Sequence, residues 1–214
     1  MALTIYGTTD SRTMRVLWAA NELGLGYVHV PYDTTDPALK SPAFLAINAA
    51  GTIPAIDDGG FTLGESLAII LYLAKKYGRP PLYPATLEGE AQVWRWALWA
   101  QQHLEPWVQG DHALKETIAA IGELAAPFLE RSCELLERTL AGRDWILGND
   151  FTAADLCVAA VLSPSRAAKL PLRRHPKLRA WHLRCYHRPA AIAVRGPHPA
   201  DANPDWPEHA ATLL

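Results

Sequence analysis

Hydrophobic and polar positions change their period once along this chain, close to residue 80. Before that point the apolar runs are short and punctuated by glycine. Leu3 to Gly7 reads as a strand ended by glycine, and Thr8-Thr9-Asp10-Ser11 is a cluster of turn and helix-capping residues. Arg12 to Leu23 carries Val16, Leu17, Ala19, Ala20 and Leu23 on one helical face, closed by Gly24. Tyr27 to Tyr32 reads as a second strand, so the first three elements form a βαβ unit whose sheet must be covered by helices. A loop over Asp36 to Asn48 holds a short helix around Ala43-Phe44-Leu45-Ala46. Gly51-Thr52-Ile53-Pro54-Ala55-Ile56 is then a strand with a proline at its mouth. A turn at Asp57-Asp58-Gly59-Gly60 leads to a hairpin partner at Phe61-Thr62-Leu63, and a helix spans about Ser66 to Tyr77. The order is β-α-β-α-β-β-α.

Beyond it the period is helical throughout. Arg79-Pro80-Pro81-Leu82-Tyr83-Pro84 has three prolines in five residues, a stiff linker that excludes helix. One helix carries Ala91 to Trp99 and reaches about His103; another spans roughly His112 to Ala141, with Pro127 kinking or interrupting it. In Phe151-Thr152-Ala153-Ala154-Asp155-Leu156 the spacing predicts a capping box of Thr152 and Asp155, with Phe151 and Leu156 as its hydrophobic staple. The last helices fall between Arg173 and Val194, and Gly196 to Leu214 reads as an extended or partly ordered appendage. The expected domains are residues 1–78 (α/β), a linker at 79–85, an all-α domain at 86–195 and a tail at 196–214.

Composition narrows the class without naming a chemistry. A formal net charge of −2 gives no field to gather nucleic acid or acidic membrane, and no apolar run approaches the roughly 20 residues of a membrane helix. Cys133, Cys157 and Cys185 are scattered with no metal or redox spacing. They fit reduced thiols, and with a first strand in place of a signal core they suggest a cytoplasmic protein without a metal. Between Asp155 and Asp201 there are nine Arg or Lys residues and no acid. These are either a basic face for an anion or ordinary partners of Glu116, Glu123, Glu130, Glu134 and Glu137; the balanced total favours the second reading.

The most informative stretch joins Ile53-Pro54 to Glu65-Ser66 twelve residues on. X-Pro bonds are where cis peptides occur, and a cis bond there would turn the N–H and C=O of Ile53 outward to pair with an extended peptide. Glu65-Ser66 opens a helix, whose free N–H groups and dipole favour a carboxylate. Together they form a cradle for a small peptide with carboxylates of its own.

This pattern resembles the glutathione transferases, and the resemblance covers nearly the whole chain. It implies a thioredoxin-like α/β domain followed by an all-α helical bundle, with glutathione as co-substrate. It also implies that Ile53 and Pro54 hold the cysteinyl unit, Glu65 and Ser66 the γ-glutamyl end, and Lys40 the glycyl carboxylate. Thr52 stands where the family often has a basic or amide residue. The plainer reading of Glu65 and Ser66 is a helix cap, and of Lys40 an exposed loop lysine. The Phe151–Leu156 stretch is similar to a folding motif of the family's helical domain.

Such an enzyme must ionise a thiol whose pKa is about 8.5, and a hydroxyl aimed at the sulfur does so by donating to the charged form. Ser11, four residues before Arg15, is similar to the activating serine of theta-like members; Thr9 competes with it, then Thr8, with Tyr6 a lesser candidate. Ser11 could equally be a plain N-cap. The resemblance further implies a small hydrophobic electrophile as second substrate and a homodimer. Trp96, Trp99, His103 and Trp107 fall at helical intervals; Trp94 and Trp96 read as core, and Trp99 and His103 as contacts for the electrophile. A peroxidase, a dehalogenase or a non-catalytic glutathione-binding module remain alternatives on the same scaffold.

Overall fold

A computed structural model describes residues 2–108, 115–168 and 170–202, with the side chains of 115–125 excepted. The chain divides into two compact units. The first runs to Tyr83 and takes in Pro189–Gly196; the second comprises Pro84–Arg188 and the segment starting at Pro197.

In the first unit β1 (Leu3–Tyr6), α1 (Thr13–Glu22), β2 (Tyr27–Val30), α2 (Pro42–Leu45), β3 (Ala55–Asp58), β4 (Phe61–Gly64) and α3 (Ser66–Tyr77) follow the expected order. The sheet order is β2-β1-β3-β4, with β1 and β2 parallel and the β1–β3 and β3–β4 pairs antiparallel. Alternation along β1 sends Leu3 and Ile5 to one face, where they pack with Val16, Leu17 and Ala20 of α1, Ile56 of β3, and Ile69 and Leu73 of α3. The other face holds Leu39, Phe44 and Ala55, with Tyr6, Tyr32 and Ile53 against them. The β3–β4 hairpin turns on Gly59 and Gly60, both at positive φ as a primed two-residue turn requires. α1 ends as the sequence predicts: Gly24 is left-handed, and Leu25 N–H reaches back to Ala20 carbonyl. This mixed sheet with helices on both faces is the thioredoxin-like arrangement. The helix α10 (Pro189–Arg195), expected among the all-α elements, belongs to this first unit, with Val194 against the core of α1 and α3.

The second unit is helical: α4 (Leu87–Trp99), α5 (Glu105–Val108), α6 (Lys115–Thr139), α7 (Ala153–Val161), α8 (Pro164–Ala167), α9 (Pro176–Tyr186) and α11 (Pro199–Ala202). Between α4 and α5 the chain makes a π turn, Ala100–Leu104, one turn ahead of Pro106. Pro106 has no N–H to give, and the wider turn takes up the mismatch. The stripe expected from Trp96 through His103 to Trp107 is therefore broken: Trp107 stacks on Phe128 instead. α6 continues through Pro127 without the interruption that was one of the two expectations there; the expected start of that helix at His112 lies outside the described residues. The tail was expected to be extended or partly ordered, and residues 203–214 lie outside the described residues. Its described part forms α11, begun by a proline at the first helical position, and buries His198.

Asp155 organises this unit. Thr152 caps α7, its hydroxyl accepting from Ala154 N–H, while Asp155 accepts from Thr152 N–H (2.9 Å) and Thr152 Oγ1 (3.0 Å). The carboxylate also takes Ile146 N–H and Trp181 Nε1–H, both at 2.8 Å, and is wholly buried. Burial raises its pKa, and the four donors oppose that rise. In the basic stretch after it, Arg174 meets Glu130 and Lys177 meets Glu137, two of the pairs the plainer reading expects, and His175 joins Arg174 on Glu130; the side chains of Glu116 and Glu123 lie outside the described residues.

Thr152→Ala should cost about 1 kcal/mol, as loss of a helix cap does. Asp155→Ala strands four buried donors and should cost roughly 3 kcal/mol or more, read by urea unfolding. Equal costs for the two variants would show that the bonds to Ile146 and Trp181 add nothing.

His198 supplies a pH test. Its Nδ1 accepts Ala200 N–H at 3.0 Å, and its ring lies against His182, Tyr186 and His187. Burial lowers its pKa from 6.5 to about 4. Between those values the unfolded chain holds a proton that the folded chain does not, so this stability is present above pH 6.5 and lost as pH falls toward 4. The loss is on the order of 2–3 kcal/mol by linkage. His198→Asn, which keeps an acceptor and cannot titrate, should flatten the melting temperature between pH 6.5 and 4.5; parallel curves for parent and variant would refute the assignment.

Candidate active site

Three loops leave the first unit's sheet at one end. Tyr6 pairs with Ala55, and Ala55 pairs with Gly64, so the end of β1, the start of β3 and the end of β4 form one row. Gly7 and the loop to α1, the Ile53-Pro54 segment, and Glu65-Ser66 all issue from that row. Their approach is close. A Cβ at Gly7 (φ 125°) would collide with Thr13 Oγ1 and lie 2.9 Å from Ile53 Cβ. The sheet thus brings Ser11, Ile53, Pro54, Glu65 and Ser66 to one edge.

Ser11 is half-buried and held from three sides. Its Oγ lies 2.8 Å from Thr8 carbonyl, 2.8 Å from Thr13 Oγ1 and 3.1 Å from Thr13 N–H. Ser11 shares its single proton between Thr8 carbonyl and Thr13 Oγ1, and its oxygen accepts from Thr13 N–H. Thr13, a buried residue the sequence reading passed over, thus holds Ser11 by one bond in each direction. The signal for it was a hydroxyl two positions past Ser11. Thr9 is exposed and has no hydrogen bond among the described residues. Tyr6 sits on the opposite face in a cluster with Tyr32 and Phe44, and burial, ahead of the nearby Asp57 charge, raises its pKa.

The Ile53–Pro54 bond is cis, and neither the N–H nor the carbonyl of Ile53 has a hydrogen-bond partner among the described residues. Glu65 has φ 66° and is the one non-glycine at positive φ among the described residues; its side chain is exposed and does not cap α3. This backbone costs ~1–3 kcal/mol. Glu65 stands at the N-cap position of α3 without a capping side-chain bond. Ser66 is buried at the first position of α3, where N–H groups lack helical acceptors, and its Oγ accepts from Arg15 Nη1 at 3.3 Å. Arg15 is itself buried. The sequence reading used it only to place Ser11; its signal was a lone cation on the apolar face of α1.

Lys40 Nζ donates to Gly51 carbonyl (3.0 Å) and Ala50 carbonyl (3.4 Å), next to Thr52. Asn48 Nδ2 donates to Thr52 carbonyl at 2.8 Å. Trp99 and His103 belong to the second unit. Trp99 is half-buried, edge-on to the buried Trp96 at 5.2 Å, and the His103 ring is exposed. Trp96 is core as expected, whereas Trp94 is exposed. The chain's own thiols are poor nucleophiles in place: all three are buried and none is in a disulfide, and burial pushes Cys133 up to about 12.

Residues 5–81 match the family model of the glutathione S-transferase N-terminal domain, and residues 113–184 that of the C-terminal domain. Glutathione S-transferase 3 of Zea mays is 33% identical over 206 residues, covering 88% of this chain and 90% of that protein. A solved glutathione S-transferase-I bound with lactoylglutathione superimposes at TM-score 0.78 with 26% identity, covering 91% of this chain and 98% of that one. The theta class glutathione S-transferase of Xanthomonas axonopodis pv. citri, with glutathione bound, gives TM-score 0.73 and 28% identity over 90% of this chain and 96% of that one. With both domain models matched in order and a relative of such identity nearly end to end, this chain belongs to the glutathione transferases, a family of enzymes.

Proposed function

We propose that this protein joins the thiolate of glutathione to small hydrophobic electrophiles, and that Ser11 stabilises the thiolate. The observation that carries the reading is the hydroxyl pair at the sheet edge beside Ile53. Ser11 accepts from Thr13 N–H, which polarises its O–H, and its proton rests between Thr8 carbonyl and Thr13 Oγ1 when no sulfur is present. Turning that proton onto the glutathione sulfur leaves the bond from Thr13 N–H intact. The Ile53 backbone would receive the cysteinyl unit, as an added strand pairs with an edge. Glu65 would take the γ-glutamyl amine, and Ser66 with the N–H groups of α3 its carboxylate. Arg15 acts through Ser66 as a positioning residue. Lys40 would exchange a carbonyl for the glycyl carboxylate. Trp99 and His103 are assigned to the electrophile.

A hydrogen bond to a charged group contributes ~1.5–3 kcal/mol, which amounts to a shift of roughly one to two pKa units. Ser11→Ala should raise the thiol pKa of the bound glutathione by that much, read from thiolate absorbance, and leave affinity near neutral pH little changed. Glu65→Ala should do the reverse, weakening affinity with the thiol pKa unmoved, because it removes a ground-state contact. A shift in Thr9→Val and none in Ser11→Ala would make Thr9 the activator. No shift in any variant, with no turnover, would leave a glutathione-binding module.

We further propose a homodimer. α4 exposes Leu87 (70%), Trp94 (43%) and Leu98 (58%) at intervals of seven and four, an apolar stripe along one helical face. Light scattering should give twice 23.5 kDa, and Leu98→Glu should give the monomer. A parent that scatters as 23.5 kDa at micromolar concentration would refute it.

A further inference from the structure

Gly7 is the hinge between β1 and the Ser11 loop, and its peptide link to Thr8 is held at both polar atoms. Thr8 N–H donates to Tyr32 carbonyl at 2.8 Å, and Gly7 carbonyl lies 2.7 Å from His29 Nε2. A carbonyl only accepts, so Nε2 carries the proton and the ring donates. Protonation of Nδ1 would leave this bond in place. Gly7 N–H, on the preceding peptide, donates to Val30 carbonyl at 2.8 Å. All three partners come from β2 and the residues just after it.

Two of these bonds are backbone contacts that most sequences could make. The third needs a side chain, and the sheet puts it there. β2 is the edge strand, paired in parallel with β1 so that His29 stands opposite Ile5. Gly7 lies two residues beyond Ile5, within reach of the half-buried imidazole. The carbonyl needs that donor, because Gly7 is buried and a buried carbonyl without a partner costs free energy. Glycine also has no Cβ to restrict its dihedrals, so the φ of 125° is held by contacts rather than by its own sterics.

The next carbonyl along the chain, that of Thr8, accepts from Ser11 N–H at 3.3 Å and from Ser11 Oγ at 2.8 Å. One residue therefore separates the atom His29 grips from an acceptor on which the Ser11 hydroxyl rests. Rotation of the Gly7–Thr8 peptide would swing Thr8 carbonyl and turn the hydroxyl off its line. We propose, on the role given above to Ser11, that His29 is a positioning residue for thiolate formation. Its bond to Gly7 carbonyl sets the orientation of Thr8 carbonyl and, through it, the aim of the Ser11 hydroxyl. The ring acts through the loop, as a neutral donor or a charged one alike.

The test reads the thiol pKa of bound glutathione, from thiolate absorbance, in the full-length protein. His29→Phe keeps a ring and removes the donor. It should raise that pKa by roughly half a unit to one unit, the worth of one neutral hydrogen bond. It should also lower kcat near neutral pH with glutathione affinity little changed. His29→Gln carries an amide N–H the same number of bonds from Cα and should restore most of the parent's value. In a Ser11→Ala background His29→Phe should add no further shift, because its route is gone. A merely structural histidine would lower the urea midpoint in His29→Phe and leave the thiol pKa where it was; that result overturns the proposal. So does an equal shift with and without Ser11, or His29→Gln behaving as His29→Phe does. His29→Leu repeats the measurement should His29→Phe not fold. Ser11→Ala with an unmoved thiol pKa would overturn the Ser11 reading and this inference together. A shift in Ser11→Ala and none in His29→Phe overturns this inference alone.

Discussion

The first unit depends on the absence of a side chain at Gly7. Its backbone at φ 125° leaves the Thr13 hydroxyl and the Ile53 side chain in the space a Cβ would occupy. Any other residue would push the β1–α1 loop away from the Ile53-Pro54 segment, and Ser11 with it. On the role proposed for Ser11 the cost would be functional before it was structural, because the sheet below is held by its own core of Leu3, Ile5, Ile56 and Ile69. A reaction that needs a hydroxyl within hydrogen-bond reach of a sulfur tolerates little displacement of the loop that carries it.

The second unit rests on a different constraint, a buried carboxylate that four donors satisfy. Asp155 ties three separate pieces to one point: the start of α7, the loop at Ile146 and Trp181 on α9. A hydrophobic residue of similar size could fill the volume and would leave three N–H groups and one hydroxyl without water or partner. The same carboxylate holds the loop before α7 through Ile146 N–H. The network also shows why capping-box spacing reads so clearly in sequence. Two of the four bonds lie within one turn, and those two were foreseeable.

What the sequence could and could not reveal follows from the range of each interaction. Strand and helix order, the Gly24 helix end, the Thr152–Asp155 box and the Ile53-Pro54 mouth are set by neighbours within about four residues, and each was legible. Arg15 meeting Ser66, Trp181 meeting Asp155, and α10 packing back on α1 join positions far apart, with no local mark beyond a polar residue on an apolar face. The π turn at Ala100–Leu104 was hidden for another reason: periodicity assumes a constant turn, and Pro106 announces a break without saying what kind. The α11 turn was missed because Gly196 to Leu214 carries no repeating pattern, and His198 is buried through ring contacts with histidines and a tyrosine instead of an apolar stripe.

The chemistry of the site explains why a hydroxyl suits this task better than a cation. The charged groups beside it are engaged elsewhere: Arg15 holds Ser66, and Lys40 rests on two backbone carbonyls. On the proposed role, Ser11 stabilises the sulfur with a neutral donor already polarised by Thr13. A thiol near pKa 8.5 that gains one such bond falls by roughly one to two units, to about neutral. A cation at the same distance would ionise the sulfur further and would also lower its nucleophilicity. Thiolate reactivity falls with pKa, and the best attacking thiol has a pKa near the ambient pH. Full ionisation would then gain little in thiolate fraction and lose intrinsic rate. In the proposed mechanism a half-buried serine, oriented by a buried threonine and carrying no charge, would bring the sulfur to the point where both factors remain large.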